Sequence, residues 1–238
     1  MKLRRLLTTA MLGLGLAGSA AAANLTSYYL FDGDGRTAWE ITNGAVANTF
    51  STYALGYPPA IRSSIWLGQR DDQEAREYSL AGVATGNTST GGAAFSQLLD
   101  GGTGTNGRNY GVECCGPANS VTVANSDWSN QTALFNLSGD GAGIAFDPTN
   151  STLYVSLFGN AINHYDLSGA LLGTIDLGRT LVGLAYEELT NSFWGWDRSL
   201  QHLVQFDRTG GILQDFFVDG IGGNPFGGEM AVTGGAVP

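Results

Sequence analysis

The chain is poor in charge: Asp, Glu, Lys and Arg make up only 13% of its 238 residues. That scarcity excludes a coiled coil and a charge-rich disordered chain. Lysine is missing altogether after Lys2. With Lys2, Arg4 and Arg5 set aside, eight arginines face 21 acidic residues, a balance of −13. Such a body repels polyanions, so nucleic acid and acidic membrane surfaces are excluded as partners. Proline (6), cysteine (2) and histidine (2) are also scarce. No Gly-x-Ser-x-Gly elbow, His-Glu-x-x-His pair or Cys-x-x-Cys occurs, which leaves Ser–His–Asp and zinc hydrolysis without a basis. What the chain has is glycine, 36 residues of it, and 43% hydrophobic content. That is enough apolar material for one full-sized core.

The first residues read as an address. Met1 to Arg5 is a basic n-region, and Leu6 to Gly18 is an apolar run too short for a comfortable membrane span. Ala21-x-Ala23 fits the cleavage rule, so residues 1–23 are expected to be a signal peptide with Asn24 as the new terminus. Export follows, to the cell surface, the medium or the periplasm, where disulfides persist. No later stretch is long and apolar enough to cross a bilayer.

From residue 24 onward the chain repeats itself. An aromatic residue, a short polar run and a glycine form a tag: Tyr165-Asp-Leu-Ser-Gly169, Phe206-Asp-Arg-Thr-Gly210, Phe135-Asn-Leu-Ser-Gly139, Tyr78-Ser-Leu-Ala-Gly82 and, more loosely, Trp39 to Gly44. The tag glycines lie 38, 57, 30 and 41 residues apart. Upstream of each tag runs a short alternating segment: Tyr28–Phe31, Ile65–Leu67, Val121–Val123, Leu153–Leu157 and Phe193–Trp196. Period-two alternation, β-branched and aromatic enrichment, and Gly/Asn/Asp/Ser turns predict short antiparallel strands and an all-β chain. A unit of 40 to 45 residues with about four strands is the signature of a β-propeller blade. Five blades of about 43 residues fill residues 24–233, leaving 234–238 as a tail. Residues 27–53 lack a first strand and Gly228–Val232 is a lone strand, so the C-terminal strand is expected to close the ring. The long Gly/Thr/Asn-rich stretch 83–110 and the cramped Gly139–Gly143 interval disturb the count. They leave a six-bladed ring or an incomplete array as alternatives.

The phrase Gly143-Ile-Ala-Phe-Asp-Pro-Thr-Asn-Ser-Thr-Leu-Tyr-Val-Ser resembles the blade openings of NHL-type and related extracellular propellers, over residues 143–220. At the other end, Gly-Gly-Glu-Met-Ala-Val followed by Ala236-Val237-Pro238 resembles the junction at which exported bacterial PEP-CTERM proteins begin their sorting tail. The Glu-Pro, apolar helix and basic cluster of that family are absent. For a trimmed sequence this second resemblance implies a surface or matrix protein of an exopolysaccharide-producing bacterium; for a complete one it leaves a simply secreted protein.

Several residues invite chemistry. Asp32-Gly-Asp34-Gly places two carboxylates on a turn that could hold Ca²⁺, against the plain reading of a hairpin turn. Glu113 and Glu229, expected on innermost strands, could converge in the channel with Asn109 around a divalent ion. Such a site would resemble gluconolactonase-type propellers, although Gly-Ile-Ala-Phe and Gly-Leu-Ala-Tyr put small apolar groups where further ligands are needed. Adjacent Cys114 and Cys115 can close a vicinal disulfide in an exported chain, or stay as two thiols. His164 is expected at the surface, because its counterparts Ala38, Glu77, Leu134 and Gln205 share no environment; His202 is expected toward the rim. Trp66, Trp194 and Trp196 read as blade-to-blade core rather than a sugar-stacking face. The function that follows is a non-enzymatic binding or structural module, contacting polysaccharide or a surface protein. The rival is a Ca²⁺-dependent, lactonase-like hydrolase with its site in the channel.

Overall fold

The computed structural model describes residues 26–69, 74–90, 97–105, 107–115 and 119–232. The expected signal peptide and the 234–238 tail lie outside them. Among the described residues twenty strands form five four-stranded antiparallel sheets, the blades of a five-bladed propeller. Blade 1 holds β1 (Thr26–Asp32), β2 (Thr37–Thr42) and β3 (Ala45–Ser51). Blade 2 runs β4 (Gly56–Ile61), β5 (Ile65–Gln69), β6 (Glu74–Tyr78) and β7 (Ala84–Thr90). Blade 3 runs β8 (Leu98–Thr103), β9 (Arg108–Glu113), β10 (Ser120–Asn125) and β11 (Thr132–Asn136). Blade 4 is β12 (Gly141–Asp147), β13 (Thr152–Leu157), β14 (Ala161–Asp166) and β15 (Leu171–Asp176). Blade 5 is β16 (Leu181–Glu187), β17 (Ser192–Asp197), β18 (His202–Phe206) and β19 (Ile212–Phe217). The last strand, β20 (Gly227–Val232), becomes the innermost strand of blade 1, pairing antiparallel with β1 from Thr26↔Val232 to Phe31↔Gly227. The ring is closed by the C-terminal strand, as the unmatched ends of the sequence require, and the edge that β1 would otherwise expose is paired.

Each seam between neighbouring blades carries its own apolar cluster. Tyr28, Trp39, Trp194 and Trp196 sit between blades 5 and 1, and Tyr29, Phe31, Ile65 and Leu67 between blades 1 and 2. Val112, Ile144 and Leu153 join blades 3 and 4, and Leu181, Phe193 and Phe206 join blades 4 and 5. The blade 2–3 seam is built on Trp128 with Ala60, Ala75, Leu98 and Ala124. The tryptophans at 194 and 196 are thus buried core, with Trp66 packed against the blade 2–3 cluster.

The tag has a physical meaning, and it also shows where the sequence repeat misleads. Gly44, Gly82, Gly169 and Gly210 adopt left-handed φ of 75° to 87° in the turn from third to fourth strand. There each lies against the fourth strand of the preceding blade. A Cβ on Gly44 would stand 2.8 Å from Phe216, on Gly169 2.7 Å from Phe135, and on Gly210 2.8 Å from Ile175; Gly82 meets Phe50 in the same way. The tag therefore needs glycine for both its backbone and its clearance. Phe135-to-Gly139 is not such a tag. Phe135 belongs to fourth strand β11 and is the ring on which Gly169 rests. Blade 3 turns instead at Trp128, itself at φ 65°, whose indole fills the blade 2–3 seam and donates to Trp66 O at 3.1 Å. Likewise Val121–Val123 lies on the third strand, not the second, and the innermost strand of blade 3 comes from the Gly-rich stretch.

The fold reveals a second repeat, of polar pairs. A hydroxyl within one residue of the start of the second strand meets a polar side chain of the third: Ser27–Glu40 at 2.7 Å, Ser64–Glu77 at 2.6 Å, Thr152–His164 at 2.8 Å and Ser192–Gln205 at 2.8 Å. His164 thus occupies a uniformly polar position, and Glu40 rather than Ala38 is its counterpart. It is half-buried, stacked on Tyr154 at 4.2 Å, and burial lowers its pKa. His202 pairs with Asp215 at 2.5 Å between the outer strands of blade 5.

Candidate functional site

The innermost strands β20, β4, β8, β12 and β16 run from an entry face, where they begin, to an exit face, where they end. They leave little space between them. A Cβ on Gly101 would stand 2.6 Å from Pro59 O, on Gly102 3.1 Å from Ile144 O, and on Gly183 2.9 Å from Gly228 N. Main chain of each innermost strand therefore packs closely on that of its neighbour around the axis. One side chain occupies the centre: Asp100 of β8, with no exposed surface. Its Oδ2 accepts the N–H of Ile144 at 2.7 Å and of Leu184 at 2.9 Å, and its Oδ1 accepts the N–H of Gly228 at 2.8 Å. One carboxylate thus ties blade 3 to the innermost strands of blades 4, 5 and 1. Burial pushes its pKa well up, against the pull of the amide donors. The Tyr28 hydroxyl adds a bond to Gly183 O across the closing seam.

Toward the exit face lies Glu229 of β20, also buried. Its Oε2 accepts Thr103 N at 2.6 Å and its Oε1 accepts Met230 N at 2.9 Å. Burial raises its pKa from 4.5 to about 7, with those amides and the nearby Arg62 charge opposing the rise. Arg62 donates to Asn109 Oδ1 at 2.8 Å and to the carbonyls of Gly104 and Arg108 at 3.1 and 2.8 Å. Glu229 and Asn109 are thus brought to one end of the ring.

Glu113 is not with them. It closes β9, a second rather than an innermost strand, opposite Leu98, whereas Asn109 lies opposite Thr103. Five residues of strand separate those ends, about 16 Å at ~3.3 Å each. Glu113 instead accepts Ser120 Oγ at 2.7 Å, and burial raises its pKa. The expected convergence of Glu113 and Glu229 fails because blade 3 draws its innermost strand from the Gly-rich stretch. The donor set also fits a divalent cation poorly, because the guanidinium of Arg62 already occupies Asn109 Oδ1.

Asp32 is buried, with Oδ1 accepting Gly35 N at 3.0 Å and Oδ2 accepting Asn224 N at 2.8 Å. It closes its own hairpin turn and anchors the connection that leads into β20, while Asp34 is exposed. Among the described residues no group of three or more His, Cys, Asp and Glu side chains is arranged to hold a metal ion. Cys114 and Cys115 form a vicinal disulfide directly after β9, with Cys114 buried and Cys115 exposed.

The entry face presents something else. Arg198, in the β17–β18 turn, lays its guanidinium 4.1 Å from the centre of the Phe226 ring. Phe226 meets Tyr57 and Phe158 edge-on, each at 5.9 Å. Phe158, in the β13–β14 turn, is 44% exposed. Burial lowers the Arg198 pKa, with the Tyr57 hydroxyl and the Asp32 charge opposing the shift. Blades 4 and 5 and the connection into β20 therefore contribute Phe158, Arg198 and Phe226 to one aromatic patch capped by a cation, supported from beneath by the buried Tyr57 of blade 2. No spacing in the sequence unites residues 57, 158, 198 and 226. Asp100, by contrast, left a trace: an acid inside Leu98-Leu-Asp-Gly-Gly, an otherwise apolar and glycine strand.

No family model and no curated protein matches the chain. Solved structures match by fold. A chain of the nidogen/laminin complex superposes with a TM-score of 0.60 at 11% identity, covering 87% of this chain and 99% of that one. A protein of unknown function from Bacteroides caccae gives 0.52 at 14% identity, covering 79% and 72%. Glutaminyl cyclase from Myxococcus xanthus gives 0.52 at 14% identity, covering 69% and 71%. The chain is a β-propeller, and these neighbours include both binding and enzymatic ones.

Proposed function

We propose that the chain is an exported, non-enzymatic propeller that binds polysaccharide or a surface protein, at the cell surface or in an exopolysaccharide matrix. The observation that carries this reading is the filled axis. Asp100, bonded to the innermost strands of three other blades, occupies the centre, where a channel enzyme needs room and free ligands, while on the entry face Phe158 is exposed beside the half-buried Phe226 and Arg198. Aromatic faces suit the apolar faces of neutral sugar rings, and the charge of −13 on the body disfavours acidic glycans. The basic n-region and the Ala21-x-Ala23 site support export.

Affinity electrophoresis tests the binding, with dextran as the neutral and alginate as the acidic glycan. Dextran is expected to retard the protein and alginate not, and a Phe158→Ala/Arg198→Ala double variant that melts normally should run unretarded. Retardation that survives the double variant, or retardation by alginate alone, would refute the assignment. Fractionation of cells expressing the full chain tests export, and retention of the intact precursor in the cytoplasm would refute it.

A further inference from the structure

A cleft of about 240 Å³ opens at the closing seam, between blades 5 and 1, on the exit face. It is separate from the entry-face patch and independent of the function proposed for it. Its walls include Tyr28, Trp194, Phe216 and Met230, and the Glu187 carboxylate also lines it. Trp194 and Phe216 present nearly parallel rings, 12° apart in orientation and 6.3 Å between centres.

Glu187 is the unusual member. It is buried and accepts four side-chain donors: Thr26 Oγ1 at 2.5 Å, Trp194 Nε1 at 3.0 Å, Gln205 Nε2 at 3.0 Å, and Thr190 Oγ1. All four are neutral groups. No arginine or histidine pairs with it among the described residues. Three of the donors share Oε2, so Oε1 carries one bond and retains acceptor capacity. A buried carboxylate with no counter-charge is costly, and a cation relieves that cost. Aromatic rings stabilise an organic cation through their electron-rich faces. The negative body raises the local concentration of cations further.

We infer that this cleft binds a small organic ammonium ion, with Glu187 as its counter-charge and Trp194, Tyr28 and Phe216 as its aromatic wall. The volume equals that of about eight waters, which matches a ligand of about seven non-hydrogen atoms. Choline is therefore the probe, with dimethylbutanol as its uncharged carbon isostere and glucose as a neutral polyol.

Saturation-transfer NMR and calorimetry on the full chain give the readout. Choline is expected to bind with Kd of about 1 mM or below, and the isostere at least ~10-fold more weakly. Glu187→Gln should weaken choline ~10-fold or more. Because that change disturbs a buried network, Gln214→Arg on exposed β19 serves as the second variant. It places a cation at the cleft mouth and should weaken choline similarly without altering the melt. Equal binding of choline and its isostere would overturn the inference. So would glucose binding without choline binding, choline affinity unchanged in both variants, or no choline binding up to about 20 mM.

Discussion

The buried Glu229 carboxyl makes the fold more stable in mild acid than at neutral pH. Its folded-state pKa of about 7 lies above its ordinary 4.5, because burial outweighs the Thr103 and Met230 amides and the Arg62 charge. Between those values the folded chain holds more proton than the unfolded one, so stability falls as pH rises through the window. The rise from 4.5 to about 7 corresponds to a loss of about 3 kcal/mol of stability, absent below pH ~4.5 and fully felt above pH ~7. For a domain of this size that is a shift in Tm of roughly 6–12 °C. Asp100 and Glu113, also raised by burial, act in the same direction. His164, whose pKa burial lowers, opposes them: its neutral form is favoured by folding, so its contribution is lost as pH falls below about 6.5. Glu77 and Asp215 are held below their ordinary values by hydrogen bonds, so their contribution disappears only at still lower pH. Calorimetric melts from pH 8 to pH 4 should show Tm climbing to about pH 5 and falling beyond it. Glu229→Gln should flatten the climb, although its amide leaves one backbone donor without an acceptor. A Tm that falls steadily from pH 8 to pH 5, or a Gln variant that keeps the full slope, would refute the reasoning.

Asp100→Asn leaves at least one inner-strand amide facing a donor and should cost about 1–3 kcal/mol, read as a lower midpoint in urea at unchanged slope. Asp32→Ala removes the acceptor for Gly35 N and Asn224 N and should cost about 1–3 kcal/mol, while added Ca²⁺ should leave the Tm of the wild-type chain unmoved; a large Ca²⁺-dependent rise would restore the metal reading of that turn. Deleting residues 227–238 exposes the β1 edge and breaks the Asp100–Gly228 and Glu229–Thr103 contacts, so the truncated chain should melt far lower or aggregate, and an unchanged melt would contradict ring closure. Gly169→Ala forces a Cβ to within 2.7 Å of Phe135 at φ 87° and should cost more than 1 kcal/mol, whereas the same change at Gly173, with open space around it, should cost far less.

The sequence by itself determined the all-β propeller architecture, while the count of five over six blades was decided by the fold. Period-two runs, the glycine tag and a length near five times 43 residues specify four-stranded blades, and the unmatched ends specify closure by the last strand, because both are local patterns or simple counts. Blade 3 escaped because its turn uses Trp128 where the others use glycine, so a packing substitute hid the period and Phe135 took the place of a tag. Asp32 and Asp34 were placed on the right turn, but only the fold showed Asp32 turned inward onto Asn224, 192 residues away. The channel candidates failed for a similar reason. Whether Glu113 meets Glu229 depends on which strand of blade 3 is innermost, and that is settled by the ring. Asp100 beneath three amides, Arg198 over Phe226 and Glu187 in the closing seam each join residues from different blades. Such groupings have no spacing to recognise. Only closure of the ring, which sets all five innermost strands around one axis and brings blade 5 against blade 1, places these side chains together.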